Sequence, residues 1–180
     1  MIRLFAAVAP PPEIAQGLVR RQSGVDGARW SEPGSLHVTL RFFGDIREDI
    51  ARDLDGELAA LAPRRPFEIA LEGVGAFGEG RDVHVLWAGV TESPELKHLA
   101  KACEAAARRA GLKAETRPWR PHLTLAYLRG ADPAEAGAWV QANNLLKSPA
   151  FTVDRFGLYS SHPGKGGSHY RLEAEYPFQA

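Results

Sequence analysis

A chain of 180 residues, 44% hydrophobic and 24% charged, has the size and composition of one soluble globular domain covering residues 1–180. Basic and acidic residues both number 22, so the net charge of zero excludes a general electrostatic attraction to nucleic acid. No apolar stretch is long enough to span a bilayer and the only cysteine, Cys103, cannot form an internal disulfide, so we expect a cytoplasmic protein that does not contact a membrane.

Predicted strands and helices alternate along the chain, and their order occurs roughly twice, before and after the middle. Short apolar or alternating runs predict strands at 2–9, 35–43, 67–74, 82–90, 122–128, 151–159 and 169–178. Apolar residues at helical spacing predict helices at 13–22, 46–61, 94–110 and 132–143. A flexible, glycine-rich loop is expected at 160–168. We therefore predict an α+β fold with two pseudo-symmetric lobes, each an antiparallel sheet covered by helices, and an active-site cleft between them.

Two stretches of this chain repeat one pattern of residue types. Residues 37–40 read His-Val-Thr-Leu, and residues 122–125 read His-Leu-Thr-Leu. On a β-strand, side chains alternate between the two faces, so histidine and threonine share one face while the apolar residues share the other. A single copy is well explained by a histidine at a sheet edge followed by a threonine of high β-propensity. Two copies predict one site at which two imidazoles and two hydroxyl groups meet.

The residue types of this predicted site suit proton transfer at phosphorus. An imidazole titrates near neutral pH, so one of His37 and His122 can act as a base while the other acts as an acid. The hydroxyl groups of Thr39 and Thr124 are neutral donors for the non-bridging oxygens of a phosphoryl group. Neither histidine has a second metal ligand beside it at a usual spacing, so we expect no metal site and no cofactor. The residues alone therefore predict opening of a cyclic phosphodiester.

The chain resembles the two-histidine phosphoesterase superfamily, most closely its bacterial and archaeal RNA 2′,3′-cyclic phosphodiesterases, also called 2′-5′ RNA ligases. The matching stretches, two of which contain the motifs, lie at 3–5, 29–30, 36–44, 73–77, 85–87, 121–125, 158–161 and 167–170. The resemblance implies hydrolysis of a 2′,3′-cyclic phosphate at an RNA end to a 2′-phosphomonoester, with reversible 2′-5′ joining of RNA ends. It also implies that His37 protonates the leaving ribose oxygen and His122 activates water, although two near-symmetric motifs leave this order open.

One position departs from the family pattern. Relatives often carry a phosphate-binding arginine three residues after the second threonine, where this chain has Tyr127. Strand alternation places Tyr127 on the face opposite His122, unless the strand ends or twists there. The positive charge is then expected from Arg129, reaching back, or from Arg41, which lies on the face of the first motif. A weaker phosphate site is the third alternative.

Several residues around the motifs have two open interpretations. Phe42 matches a position where relatives carry an aromatic residue that stacks on a base, and a buried core position is the alternative. Arg117, Trp119 and Arg120 border the second motif and either contact RNA or form a solvated rim. The expected partner is RNA with a 2′,3′-cyclic phosphate end, bound by a monomer. The alternatives are a phosphodiesterase of a small cyclic nucleotide, such as an ADP-ribose cyclic phosphate, and an RNA-end binding protein without turnover.

Overall fold

A computed structural model describes residues 1–179 of the chain. Its α-helices, α1 to α4, span Pro12–Val19, Glu48–Ala59, Pro94–Arg109 and Pro133–Asn143. Its strands, β1 to β10, span Ile2–Val8, Arg29–Trp30, Val38–Ile46, Phe67–Ile69, Leu71–Phe77, Val85–Val90, His122–Tyr127, Phe151–Val153, Arg155–Gly164 and Gly167–Pro177. The predicted α+β class is confirmed. None of the helices described has both the length and the apolar character needed to cross a membrane.

One large antiparallel sheet positions the two motifs. Its strand order is β10-β9-β1-β3-β7-β6-β5, with the short β2 also paired to β7, while β4 and β8 form a separate two-stranded sheet. The two motif-bearing strands, β3 and β7, are joined by the pair Val38 and Leu123. Each half of the sheet therefore contributes one motif next to this junction. The division into two pseudo-symmetric lobes stays a prediction.

The core lies against the apolar side of the two motifs. Val38, Leu40, Leu123 and Leu125 are each at most 3% exposed and belong to one apolar cluster that extends across both halves of the sheet. Helix α3 covers part of this cluster, and its first turn contains Pro94 and is capped by the hydroxyl of the preceding serine. Burying the apolar members of each motif leaves their histidines and threonines on the opposite face.

Three segments differ from the sequence predictions. The strand expected at 67–74 is interrupted at Ala70, so that β4 leaves the large sheet and pairs with β8. Strand β2 forms in a segment for which the sequence predicts neither a strand nor a helix. The loop expected at 160–168 is instead the end of a long hairpin, because β9 and β10 pair as far as Gly164 and Gly167. In each case the pairing partner decides the conformation, and local composition does not reveal that partner.

Candidate active site

The junction of β3 and β7 brings the two motifs together. His37 immediately precedes β3, and His122 is the first residue of β7. Because Val38 pairs with Leu123 in an antiparallel ladder, the flanking positions place His37 across from Thr124 and Thr39 across from His122. Residues opposite each other in such a ladder point to the same face. Two histidines and two threonines therefore occupy one face in a diagonal arrangement.

Each motif imidazole is anchored to the backbone carbonyl oxygen of the residue two positions before it. The Nδ1 atom of His37 lies 2.8 Å from the carbonyl oxygen of Ser35, and that of His122 lies 2.6 Å from the carbonyl oxygen of Arg120. A carbonyl oxygen only accepts hydrogen bonds, so Nδ1 carries the proton in both rings. Each neutral ring then keeps an unprotonated Nε2 as the atom that exchanges a proton.

Aromatic rings enclose His37. Phe5 stacks on the imidazole with ring centroids 4.8 Å apart, and Tyr170 meets it edge-on at 5.2 Å. Burial lowers the pKa of His37, the hydrogen bond to Ser35 opposes this change, and the nearby charge of His122 lowers the pKa further. The two imidazoles occupy diagonal positions beside the pair of Val38 and Leu123. The free protein therefore favours the neutral form of His37.

His122 borders a cavity of about 710 Å³ that Thr39 and Phe42 also line. The cavity lies where β3 and β7 diverge beyond the pair of Val38 and Leu123. At its wall, the indole N–H of Trp119 donates a hydrogen bond to the carbonyl oxygen of Thr39 at 3.0 Å. Phe77 meets the His122 ring edge-on, with centroids 4.8 Å apart. Phe42 is 41% exposed, so the core interpretation of this residue is wrong. The exposed ring lies at the edge of the cavity, and its stacking on a base stays a prediction.

Basic side chains surround this cavity. The lining includes Arg41, Lys97, Lys101, Glu104, Glu115, Arg117 and Arg120. The two carboxylates pair with two of the arginines, Glu104 with Arg41 and Glu115 with Arg117, and the second pair lowers the pKa of Glu115 to about 2. Three basic residues of the lining form no ion pair within residues 1–179: Lys97, Lys101 and Arg120. They give this part of the surface a local positive charge, although the net charge of the whole chain is zero.

The sequence predicts Arg41 on the motif face, and this is wrong: a register shift in the pairing of β3 with β1 sets Arg41 opposite Ala6, a core residue, and its guanidinium is engaged within the protein. Besides the ion pair with Glu104, it donates to the carbonyl oxygen of Lys113 at 2.8 Å and to that of Phe42. Only 10% of its side chain is exposed. Arg41 therefore holds the segment that precedes β7 against β3, and its role in substrate binding stays a prediction.

A β-bulge decides the orientation of Tyr127. The pairing of β6 with β7 shifts register next to Leu125, and both Leu125 and Ala126 are fully buried. This extra buried residue reverses the alternation, so Tyr127 returns to the face of His122 and Thr124. The opposite face predicted from simple alternation is wrong, because that pattern assumes a regular ladder.

Phe5 and Tyr170, which enclose His37, are not among the site residues expected from the sequence. Phe5 lies in β1 between Leu4 and Ala6, whose side chains face the core. Strand alternation therefore directs the Phe5 side chain to the face of the sheet away from the core, which is the signal that the sequence offers for this residue. Only the pairing of β1 with β3 places that face beside His37. Tyr170 comes from β10, and its hydroxyl lies 3.4 Å from that of Tyr127. Arg129, the other predicted cation, lies in an exposed turn after β7.

Comparison with known families and structures agrees with this arrangement. A family model of the 2′-5′ RNA ligase superfamily matches residues 10–165. The chain belongs to this superfamily. Both motifs of this chain lie within the matched range. The family resemblance found in the sequence is therefore confirmed. Within residues 1–179 no group of three or more histidine, cysteine, aspartate or glutamate side chains is placed to hold a metal ion.

Two curated relatives named RNA 2′,3′-cyclic phosphodiesterase illustrate the similarity. The protein from Archaeoglobus fulgidus is 32% identical over 138 residues, which cover 75% of this chain and 77% of the relative. The protein from Aquifex aeolicus is 27% identical over 182 residues, covering 98% and 97% of the two chains. The similarity therefore extends over the whole superfamily member.

Solved structures share the fold over nearly the full length. TT0787 of Thermus thermophilus superposes with a TM-score of 0.81 at 26% identity, covering 98% of both chains. Escherichia coli LigT complexed with 3′-AMP superposes with a TM-score of 0.80 at 26% identity, covering 99% of both chains. The superfamily member thus has the architecture of a LigT-like phosphoesterase.

Proposed function

We propose that this superfamily member hydrolyses 2′,3′-cyclic phosphate ends of RNA to 2′-phosphomonoesters by two-histidine catalysis. The observation that carries the proposal is the diagonal arrangement of His37, Thr39, His122 and Thr124 on one face of the sheet, with both imidazoles anchored through Nδ1. Both proton transfers are supplied by side chains of this chain, so the reaction needs no metal ion or cofactor. The names of the curated relatives support the same activity.

In the proposed reaction, water attacks phosphorus and the bond from phosphorus to the 3′ oxygen breaks. One Nε2 atom removes a proton from the water while the other donates a proton to the 3′ oxygen, leaving a 2′-phosphate and a 3′-hydroxyl group. Each proton transfer typically contributes a factor of about 10² to 10⁴ in rate. The hydroxyl groups of Thr39 and Thr124 donate hydrogen bonds to the non-bridging oxygens, which carry the negative charge.

The proposal assigns the base to His122 and the acid to His37, the order that the family resemblance implies. An acid must be protonated before the reaction, yet burial lowers the pKa of His37 in the free protein. A bound phosphodiester is an anion and favours the imidazolium form of a neighbouring histidine. Binding of substrate and protonation of His37 are therefore coupled.

The same site also supports joining of RNA ends. If the 5′-hydroxyl group of a second RNA replaces water as the attacking group, the phosphorus keeps its 2′ oxygen and a 2′-5′ phosphodiester bond forms. The 3′-hydroxyl group set free in this step can attack the same phosphorus and expel the 5′ oxygen, so the reverse reaction opens the linkage and restores the cyclic phosphate. The description of the matched family as 2′-5′ RNA ligases supports this second outcome.

The cavity beside His122 favours RNA over a small cyclic nucleotide. It extends from Thr39 and His122 and has a volume of about 710 Å³, with Phe42 exposed beside it. Aromatic rings stack on bases, and unpaired lysine and arginine side chains bind the phosphates of further nucleotides. The site is built within one chain, so we propose that a monomer performs this reaction in the cytoplasm.

One experiment tests this function. Purified protein is incubated in excess EDTA with an oligonucleotide that ends in a 2′,3′-cyclic phosphate, with the matching mononucleotide, and with an ADP-ribose cyclic phosphate. We expect a 2′-phosphate product from the oligonucleotide, formed with a higher kcat/KM than the product from either small substrate. Binding of the oligonucleotide without turnover of any substrate would instead indicate an RNA-end binding protein. A preference for a small substrate would indicate the nucleotide phosphodiesterase.

A further inference from the structure

A phosphodiester anion bound between the motifs lacks an obvious cationic partner. Of the two cations that the sequence suggests, Arg41 is bound within the protein and Arg129 lies in an exposed turn. The charge on a phosphate is most effectively held by a guanidinium with free donors that is fixed in position before the ligand arrives. A third arginine, Arg29, meets both conditions.

Strand pairing places Arg29 on the motif face. Arg29 lies on β2 and pairs with Tyr127, which the bulge in β7 turns toward that face. Both β2 and β3 pair with the edge of β7 that faces away from β6. Arg29 is opposite position 127 and His37 is opposite position 124, a spacing of three residues or about 10 Å along the strand. The charge of Arg29 therefore lies close to the phosphate position.

Neighbouring groups hold the guanidinium of Arg29 in place. Its Cζ atom lies 4.7 Å from the centroid of the Tyr127 ring, a cation–π contact. On another side it touches the backbone at Gly167, where a Cβ atom would overlap the guanidinium. The Tyr127 hydroxyl lies 3.4 Å from that of Tyr170, whose ring packs against His37. A continuous row of aromatic contacts thus connects Arg29 to the first motif.

The charge of Arg29 is not neutralised by the protein. Its guanidinium takes part in none of the ion pairs formed within residues 1–179, and its side chain is exposed. The same charge reaches the Tyr170 hydroxyl, where it opposes the increase in pKa that burial causes. An anion bound beside His37 would therefore meet a positioned cation with free N–H donors.

We propose that Arg29 binds the substrate phosphate in this chain, in place of an arginine at position 127. Its guanidinium donates charge-assisted hydrogen bonds to a non-bridging oxygen of the cyclic phosphate, and of the 2′-phosphate product. Tyr127 positions the guanidinium through its ring. The inference rests on the proposed function for the identity of the anion, while the placement of Arg29 rests on strand pairing.

The test compares Arg29→Gln with two other arginine variants. Arg129→Gln removes the competing candidate, and Arg52→Gln removes one exposed positive charge from helix α2, away from the motif face. For each variant we measure kcat and KM with the cyclic-phosphate oligonucleotide, and the Kd of a nucleoside 2′-phosphate by calorimetry. We expect Arg29→Gln to raise KM and Kd by about tenfold to a hundredfold, the effect of losing a hydrogen bond to a charged group. Arg52→Gln should match the wild type.

A second variant separates phosphate binding from a structural role. Combining Arg29→Gln with Tyr127→Arg returns a guanidinium to the motif face from the neighbouring strand. We expect this double variant to recover most of the lost affinity for the 2′-phosphate. If the contribution of Arg29 were merely structural, Arg29→Gln would lower the midpoint of thermal unfolding, and the added Tyr127→Arg would not restore the affinity.

Failure of this inference is distinguishable from failure of the proposed function. If the wild type turns over the oligonucleotide and Arg29→Gln changes neither KM nor Kd, the inference is wrong while the function stands. A larger loss for Arg129→Gln than for Arg29→Gln also overturns it. If the wild type shows no turnover, the proposed function is wrong, and the Kd measurements still decide whether Arg29 binds the phosphate.

Discussion

The two motifs have the same residue types and the same backbone anchor, yet their surroundings differ. His37 lies between Phe5 and Tyr170, and burial lowers its pKa. His122 borders an open cavity together with Phe42. Two imidazoles in equal surroundings would exchange the roles of acid and base freely. Here the neighbouring strands make them unequal, so the surroundings rather than the motif sequence lower the pKa of His37.

The largest expected effect comes from removing either imidazole. His37→Ala and His122→Ala should each lower kcat/KM by about 10² to 10⁴, because each removes one proton transfer. The double variant should lose little more than the single variants, because the two groups act in one concerted step. His98→Ala, an exposed position on α3, is the control and should match the wild type. A tenfold or smaller loss for only one motif histidine would show that the two motifs do not act as a pair.

A smaller effect is expected from the hydroxyl groups. Thr39→Val and Thr124→Val keep the shape of the side chain and remove one donor to the phosphoryl oxygens. Each should lower kcat by about 10², the cost of losing one donor to a developing anion. Thr152→Val, on the exposed side of β8, serves as the matched control. Equal losses would support the diagonal arrangement, whereas a loss in only one variant would place the phosphate on one motif alone.

The difference between the histidines also predicts an asymmetric pH dependence. A lowered pKa means that free His37 loses its proton below pH 6.5, the usual value for histidine. If His37 is the acid, the alkaline limb of kcat/KM should begin below that pH. The corresponding limb of kcat should lie at higher pH, because the bound anion raises the pKa of His37. Rates measured from roughly pH 4.5 to 9, with imidazole titration by NMR, check this order.

The smallest expected effect comes from opening the aromatic surroundings of His37. Phe5→Leu keeps an apolar side chain and opens one side of the His37 ring, so the pKa of His37 should rise toward its usual value. The alkaline limb of kcat/KM should then move to higher pH, with little change at the optimum. A shift of the acidic limb instead would assign the role of base to His37 and reverse the proposed order.

Local signals in the sequence are sufficient for much of the fold. The sequence predicts a helix at 94–110 and α3 spans Pro94–Arg109, because a serine cap, a proline in the first turn and helical periodicity all act within a few residues. The burial of Val38, Leu40, Leu123 and Leu125 follows from strand alternation and is confirmed. Both features depend on neighbours in the chain, which a single sequence displays directly.

Position 127 shows where such local reasoning ends. A regular strand would place Tyr127 away from His122, and the bulge at Leu125 reverses that orientation. Arg29 lies in a segment for which the sequence predicts neither a strand nor a helix. Its place beside Tyr127 depends on a two-residue strand that pairs with a segment far along the chain. Bulges and short strands of this kind are set by the partner strand, so no local pattern indicates them.

By itself, the sequence determined the family, the four motif residues and the face on which each would lie, because a period of two is a property of one strand. Only the tertiary structure decided that Val38 pairs with Leu123, which sets each histidine opposite a threonine. It also decided which rings enclose His37 and which cations remain free. These features arise from contacts between distant segments, whose energies depend on the assembled sheet rather than on neighbouring residues.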